Sequence, residues 1–280
     1  MSTDESRRQF LATAATMSVL PHIAAAASVN PDDPAHRMTT LMKMYGAIDD
    51  RVCFGFVQGT YYGVSNGNVT PLHGVLAAVF NRFVPRADGT YDGAIFEVAY
   101  FTDLATGERF ETFRNPYTNE TVEVPITRSG PHPIHMTPTG RARTAATERS
   151  DREITQVFRP FRVIHDDVWL VEEIVGCAKP GALGAAHSSS TSSITNYSAK
   201  LSDLLDPAQK TVRTHVHYHA TVSWRPWLKM GDRPGYMMGN AAGRTVMSID
   251  ELPPKYVALT KKLHPDVLDD PMALLKSVKA

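Results

Sequence analysis

Hydrophobic and aromatic residues recur along this chain with two different periods, and the change from one to the other divides it. Over 37–48, Met38, Leu41, Met42 and Tyr45 fall on one face of a 3.6-residue repeat, which predicts a short helix. From residue 52 the period shortens to two. Segments 52–62, 94–102, 110–113, 121–126, 154–164, 168–175 and 211–224 are rich in β-branched and aromatic residues, the composition of half-buried strands. Turn residues separate them: Gly63 to Gly67 with Asn66-Gly67, then Asp88-Gly89, Thr106-Gly107 and Asn115-Pro116.

Connections this short join antiparallel strands, because parallel pairs need long crossovers. The expected fold is therefore mainly β, an antiparallel barrel of lipocalin-like shape or a sandwich, with a short N-terminal helix and C-terminal helices. Two stretches depart from the strand rhythm. Residues 183–195 hold Ser188 to Ser190 and Ser192-Ser193 among alanine and glycine, a composition that reads as a loop. After Ser248 and Glu251, spaced as in a capping box, 253–263 reads as helix, and Asp269-Asp270-Pro271 opens a last short one.

The N-terminal segment stands apart from this pattern. Arg7-Arg8-Gln9-Phe10-Leu11 precedes an uncharged alanine-rich run, and Ala24-Ala25-Ala26 offers the small residues of a cleavage site. Residues 1–27 are expected to be a twin-arginine export signal, which places the mature protein in the periplasm. The remaining organisation is then a linker and short helix over 28–50, a β-barrel domain over 51–247 and a helical segment over 248–280. With 29 basic and 29 acidic residues, nothing in the charge balance favours a nucleic acid or an anionic membrane as partner. No stretch beyond residue 27 approaches the roughly 20 apolar residues of a membrane span, so the exported chain is expected to be soluble. Cys53 and Cys177 have two readings in an oxidising compartment, one disulfide or two free thiols. Strand edges make a homodimer conceivable.

Two blocks carry a resemblance. The first runs Glu97-Val-Ala-Tyr100-Phe-Thr-Asp103-Leu-Ala-Thr-Gly107-Glu108 and then Arg114-Asn115-Pro116-Tyr117-Thr-Asn-Glu120-Thr-Val-Glu-Val124; the second is Ser223-Trp224-Arg225-Pro226-Trp227-Leu228-Lys229-Met230-Gly231-Asp232-Arg233-Pro234-Gly235, followed by Asp250-Glu251-Leu252-Pro253. Together they resemble DUF1838, a bacterial family of unknown function whose members often carry twin-arginine signals. That resemblance implies no mechanism. It also leaves His215-Val-His217-Tyr-His219 as a local departure particular to this chain.

The histidine run is the sharpest chemical signal. On a strand His215, His217 and His219 share one face while Val216, Tyr218 and Ala220 share the other. Facing solvent, the histidines are inert; facing a barrel cavity, an imidazole near neutrality can move a proton. A third reading has His215, His217 and His219 hold a divalent metal, with another ligand from His132, His135 or Glu97. Arg225 between Trp224 and Trp227 offers a cation and flat apolar surfaces suited to an aromatic carboxylate, phenolate or ketone; equally, the indoles seal the barrel end and Arg225 pairs with Glu97 or Asp103. Tyr100, near Glu97 and Asp103, reads as a general acid or oxyanion donor, and Asn115, Tyr117 and Lys229 as a turn or a binding edge.

Absent motifs narrow the chemistry further. No Gly-x-Gly-x-x-Gly fingerprint, phosphate loop or Gly-x-Ser-x-Gly elbow occurs, which argues against a nucleotide cofactor and a serine nucleophile. The expectation is an exported, cofactor-independent lyase or isomerase acting on a small amphipathic aromatic molecule. His217 or His219 would transfer the proton, Tyr100 and Arg225 would steady the developing charge, and His215, Trp224, Trp227, Glu97, Asn115, Tyr117 and Lys229 would contact substrate. Elimination, or retro-aldol loss of formaldehyde from a lignin-derived dimer, is one concrete form. A non-catalytic periplasmic carrier and a metal-dependent enzyme are the alternatives.

Overall fold

The computed structural model describes residues 29–30, 32–142, 152–180 and 189–278. The export segment, and 183–188 of the serine-rich stretch, lie outside the described residues. Helix α1 spans Pro34–Tyr45, with the Asp33 carboxylate accepting from the amides of Ala35 and His36 at its N-terminus. Strands β1 (Val52–Ser65), β2 (Asn68–Pro85) and β3 (Tyr91–Thr102) follow as a meander. A small hairpin, β4 (Thr112–Arg114) with β5 (Thr121–Glu123), leads to β6 (Thr127–Thr137), β7 (Gly140–Ala142), β8 (Arg152–Phe158), β9 (Arg162–Ile164) and β10 (Asp167–Ala178). Then come β11 (Ser189–Lys200), helix α2 (Leu201–Leu205), β12 (His215–Val222) and β13 (Tyr236–Val246). Helices α3 (Pro254–Leu263), α4 (Pro265–Asp269) and α5 (Pro271–Lys276) complete the described chain.

All the strand pairings are antiparallel and they close on themselves. The order is β11-β12-β13-β1-β2-β3-β6-β7-β8-β10, and β10 pairs again with β11, giving a ten-stranded barrel with β9 appended to β10. The barrel expectation is met, and it displaces the sandwich.

Four long strands lie where the sequence pattern gave no strand. β2 is buried on both faces over most of its length, inside by the cavity and outside by the C-terminal helices, so Val75 to Phe80 shows no alternation. β6 contains Pro131 and Pro133, and β13 is built on Gly239, Ala241 and Gly243, all poor strand signals. β11 corrects the loop expectation for 189–195: Ser193, Thr195, Tyr197 and Ala199 alternate inward, and polar Thr195 is satisfied there by hydrogen bonding to Glu172.

Three buried clusters organise the packing. Helix α1 plugs one end of the barrel, where Met38, Leu41, Met42 and Met44 meet Phe83, Ile134, Met136 and Phe158. Lys43, almost fully buried beside them, donates to the carbonyls of Leu204 and Asp206 at 2.7 and 2.8 Å and so ties α1 to the end of α2. The β4–β5 hairpin and the 224–230 loop plug the other end through Phe101, Leu228, Met230, Phe113 and Trp227. Helices α3–α5 cover the outside of β2 and β3, burying Phe80, Phe96, Val98 and Tyr100 against Tyr256, Val267 and Leu275. Helices α3 and α5 lie where the sequence pattern expects them, Asp270 capping the last through the Ala273 amide, whereas α2 and α4 lie where no helix is expected. Ser248 departs from it: it precedes a short 3₁₀ turn and makes no side-chain cap. Cys53 is buried, Cys177 is exposed, and both are free thiols.

The seam between β1 and β13 depends on glycine. A Cβ at Gly243 would fall on the Phe56 carbonyl, whereas one at Gly55 meets nothing nearer than the Arg244 carbonyl oxygen at 3.9 Å. Gly243→Ala is therefore expected to lower unfolding free energy by about 3 kcal/mol, and Gly55→Ala to leave it within about 0.5 kcal/mol, in urea titrations of the two variants. Equal effects would refute the close-packed seam.

Candidate active site in the barrel interior

Between the two plugs remains a cavity of about 270 Å³. Alternation on each strand decides what lines it: Val57 and Tyr61 from β1, Val75, Ala77 and Val79 from β2, Ile95, Glu97, Ala99 and Phe101 from β3, Val216 and Tyr218 from β12. Most of that wall is apolar. Two carboxyls and one guanidinium interrupt it.

Glu97 reaches the cavity at an irregularity in the sheet. Between the pairs Ile95↔His132 and Glu97↔Ser129, β6 places Gly130 and Pro131 opposite the single Phe96, a bulge on β6 beside which Glu97 keeps the inward phase of Ile95 and Ala99. The surface that Glu97 retains is cavity surface, and its carboxylate has no hydrogen-bond partner among the described residues. Burial raises its pKa above the ordinary glutamate range, while the Arg225 charge pulls it back.

Arg225 approaches from the plug loop. Its guanidinium carbon sits 5.7 Å from the Tyr61 ring centroid and 5.6 Å from that of Phe101. Nε is buried without a partner, and the guanidinium makes no hydrogen bond or ion pair among the described residues. Tyr218 neighbours it, its phenol interacting with Tyr61 and held neutral by burial. Above them His73 is fully buried in a box of rings, with centroids 4.7 Å from Phe101, 5.4 Å from Tyr61 and 5.6 Å from Trp227. Desolvation drives its pKa down to about 4, so it is a neutral imidazole; Nδ1 lies 3.1 Å from the Gly74 carbonyl and Nε2 is unpartnered.

The other carboxyl, Glu172, lies toward the α1 end. Tyr197 donates to Oε2 at 2.7 Å and the Gln156 amide donates to Oε1. Burial raises its pKa against the lowering effect of these donors and of Thr195. Tyr45, at the C-terminal end of α1, completes the group by accepting from Gln156 at 3.5 Å.

The sequence-derived site residues divide sharply. Glu97 and Arg225 come together at the cavity. His215, His217 and His219 do not: all three are exposed on the outer wall, because the strand phase that faces inward belongs to Val216 and Tyr218. This corrects the expectations that His217 or His219 transfers the proton and that His215 contacts substrate. Among the described residues no three His, Cys, Asp or Glu side chains form a group able to hold a metal ion; His132 instead contacts Ser129 and His135 contacts Asp92. Tyr100 is corrected too. Three residues from Glu97, it lies on the opposite face of β3, donating to Thr260 at 3.0 Å beneath α3.

Trp224, Trp227, Asn115 and Tyr117 belong to the plug. Asn115 is fully buried, donating to the Leu228 carbonyl at 2.7 Å and accepting from the Tyr117 amide at 2.9 Å, while Trp224 donates to the Arg233 carbonyl and packs edge-on to Tyr117. Lys229 is exposed at the loop's left-handed residue, φ 50°. They position Arg225 without reaching the cavity, Trp227 alone touching its roof through Phe101 and His73.

Missed in the sequence were Glu172, Tyr218, Tyr61, His73 and Tyr45. A signal for Glu172 exists: it falls in phase with Val168, Leu170 and Ile174, and a carboxylate in the apolar phase of a strand marks a buried charge.

The architecture defines a closed antiparallel barrel with a largely apolar interior cavity bearing two carboxyls and a cation. Over its C-terminal third, the chain matches the model of a family described as a protein of unknown function, DUF1838, at residues 184–277. That segment contains the Trp224 to Trp227 block, and the block at 97–124 lies outside it. No curated protein and no solved structure matches the chain. Among the described residues no helix is long and apolar enough to cross a membrane.

Two outcomes follow from this geometry. Asn115→Ala is expected to cost about 2 kcal/mol in unfolding free energy by removing its buried hydrogen bonds to the Leu228 carbonyl and the Met230 sulfur, which hold the plug loop. For Glu172, a raised folded pKa means that the folded state holds its proton to higher pH than the unfolded chain. Its contribution is therefore fully present below the unfolded value of 4.5 and is lost as pH rises through the folded value. Relative to Glu172→Gln, wild-type stability should improve as pH is lowered from 8 to 5, read from urea unfolding at both; a pH-independent difference would contradict the raised pKa.

Proposed function

We propose that the protein is an exported, cofactor-independent lyase or isomerase that carries out acid-base chemistry on a small amphipathic aromatic molecule inside the barrel. One observation carries this reading: a carboxylate and a guanidinium, Glu97 and Arg225, face the same apolar cavity, neither held by a hydrogen bond among the described residues. A carboxyl whose pKa lies above its ordinary range is a better base near neutrality than a free glutamate. The guanidinium, unpaired among the described residues, is a site for an oxygen that becomes negative during reaction, in largely apolar surroundings. The Tyr61 and Tyr218 hydroxyls, hydrogen-bonded to each other, also lie at that end.

In an elimination, Glu97 takes a C–H proton, the freed electron pair forms the new double bond, and the leaving oxygen departs and recovers the proton. In the retro-aldol form Glu97 takes the proton of a hydroxymethyl group. The O–H electrons become the formaldehyde carbonyl, the C–C bond breaks, and its pair moves through the adjacent carbonyl carbon onto the ketone oxygen paired with Arg225; the enolate carbon then takes the proton back from Glu97. Proton and electrons balance without an added oxidant or reductant. The twin-arginine pattern supports the periplasm as the place of work.

Hydroxymethyl-bearing aromatic dimers assayed for formaldehyde release test this directly. Glu97→Gln and Arg225→Gln should each lower kcat/KM by on the order of 10² or more, while His217→Ala on the outer wall leaves it unchanged. Since the base must be ionised, the wild-type rate should fall as pH drops through the raised Glu97 pKa, above the ordinary 4.5. Full activity in Glu97→Gln would overturn the mechanism; ligand retained from the periplasm without turnover would favour a carrier.

A further inference from the structure

Resting on the cavity reading above, we propose that Tyr45, Gln156, Glu172 and Tyr197 form a second recognition subsite that takes an uncharged hydroxyl. The ligand is then a two-headed aromatic molecule, with an anionic oxygen toward Arg225 and a phenolic or alcoholic hydroxyl toward Glu172. The two polar groups belong to different ends. Arg225 packs on Tyr61 and Phe101 beneath the 224–230 plug, whereas Tyr45 packs edge-on to Phe158 and Tyr197 at the α1 plug. Ala77, Val79, Ile95, Ala99, Ile174 and Val216 line the space between, a wall that suits flat apolar rings.

The unfilled hydrogen-bond capacity at the α1 end selects the chemistry. Above its raised pKa the Glu172 carboxylate can accept about four hydrogen bonds, and it receives three, from Tyr197, Gln156 and Thr195. Tyr45 accepts from Gln156, and its own hydroxyl proton has no acceptor among the described residues. One acceptor and one donor remain on neighbouring groups that both line the cavity. A hydroxyl satisfies both, giving its proton to Glu172 and accepting from Tyr45. A second anion does not fit beside the Glu172 carboxyl, on which no cation acts, the Arg141 charge bearing on Tyr45 alone.

The probes are 4′-hydroxybiphenyl-4-carboxylate and biphenyl-4-carboxylate, with Kd values from quenching of tryptophan fluorescence in the mature protein. On the wild type the hydroxylated probe should bind about five- to tenfold more tightly, the worth of one or two net hydrogen bonds. That advantage should vanish in Tyr45→Phe and in Glu172→Leu while biphenyl-4-carboxylate keeps its wild-type Kd in Tyr45→Phe. Equal Kd values for the two probes on the wild type would overturn the subsite, as would failure of both to bind or an unchanged advantage in Tyr45→Phe. Arg225→Gln separates this from the functional reading: a carboxylate affinity that it leaves unaltered removes the anion anchor, yet the hydroxyl advantage can still stand.

Discussion

Closure of the sheet is the constraint on which the other features depend. An open sheet of this length would expose two edges and could not enclose anything; pairing β11 with both β10 and β12 removes the edges and gives every strand an inside and an outside. Closure demands a tight seam, which Gly59 and Gly243 allow where β1 lies on β13. It also produces two open ends, and the chain fills them from distant segments: α1 from before the first strand, and the 224–230 loop from between the last two. The cavity is the volume those plugs leave. The site is therefore a product of the whole topology, with Arg225 supplied by one plug, Tyr45 by the other, and Glu97 and Glu172 by strands on the wall between.

Much of this fold can be read in the chain, because alternation and turn residues are local. Where alternation fails, the physical reason is visible. β2 is covered on both faces, so its apolar run carries no period; β11 turns serines and threonines inward, where Thr195 meets a carboxylate and not lipid-like packing. The candidate site was legible only in part, for a related reason. His215, His217 and His219 were conspicuous as a run, yet three polar residues in one phase of a strand describe a wet face more often than a lining. Their neighbour Tyr218, in the other phase, is the one that reaches the cavity. Tyr100 shows the same error in miniature: three residues from Glu97 places it across the sheet, under α3. His73 and Tyr45 owe their positions to plugs formed by long-range packing, which no local pattern encodes.

Placing Glu97 and Arg225 in an apolar interior without a mutual ion pair opposes folding, since a buried charge gives up hydration that only a partner can replace. The rings of Tyr61 and Phe101 offset part of that cost for the guanidinium, and uptake of a proton offsets it for the carboxyl. Neither compensation is complete: Arg225 Nε, His73 Nε2 and Trp227 Nε1 all lack a partner among the described residues at the same end of the barrel. Structural ion pairs elsewhere in the chain show what completion looks like. Arg128 grips Asp266 with two nitrogens and Arg213 does the same with Glu251, each lowering its partner's carboxyl pKa at the surface. A fold able to pair its charges in that way and yet leaving these groups open holds them ready for a molecule that arrives later. The free energy left unrealised on folding is then available on binding, at the points where a developing negative charge needs a partner.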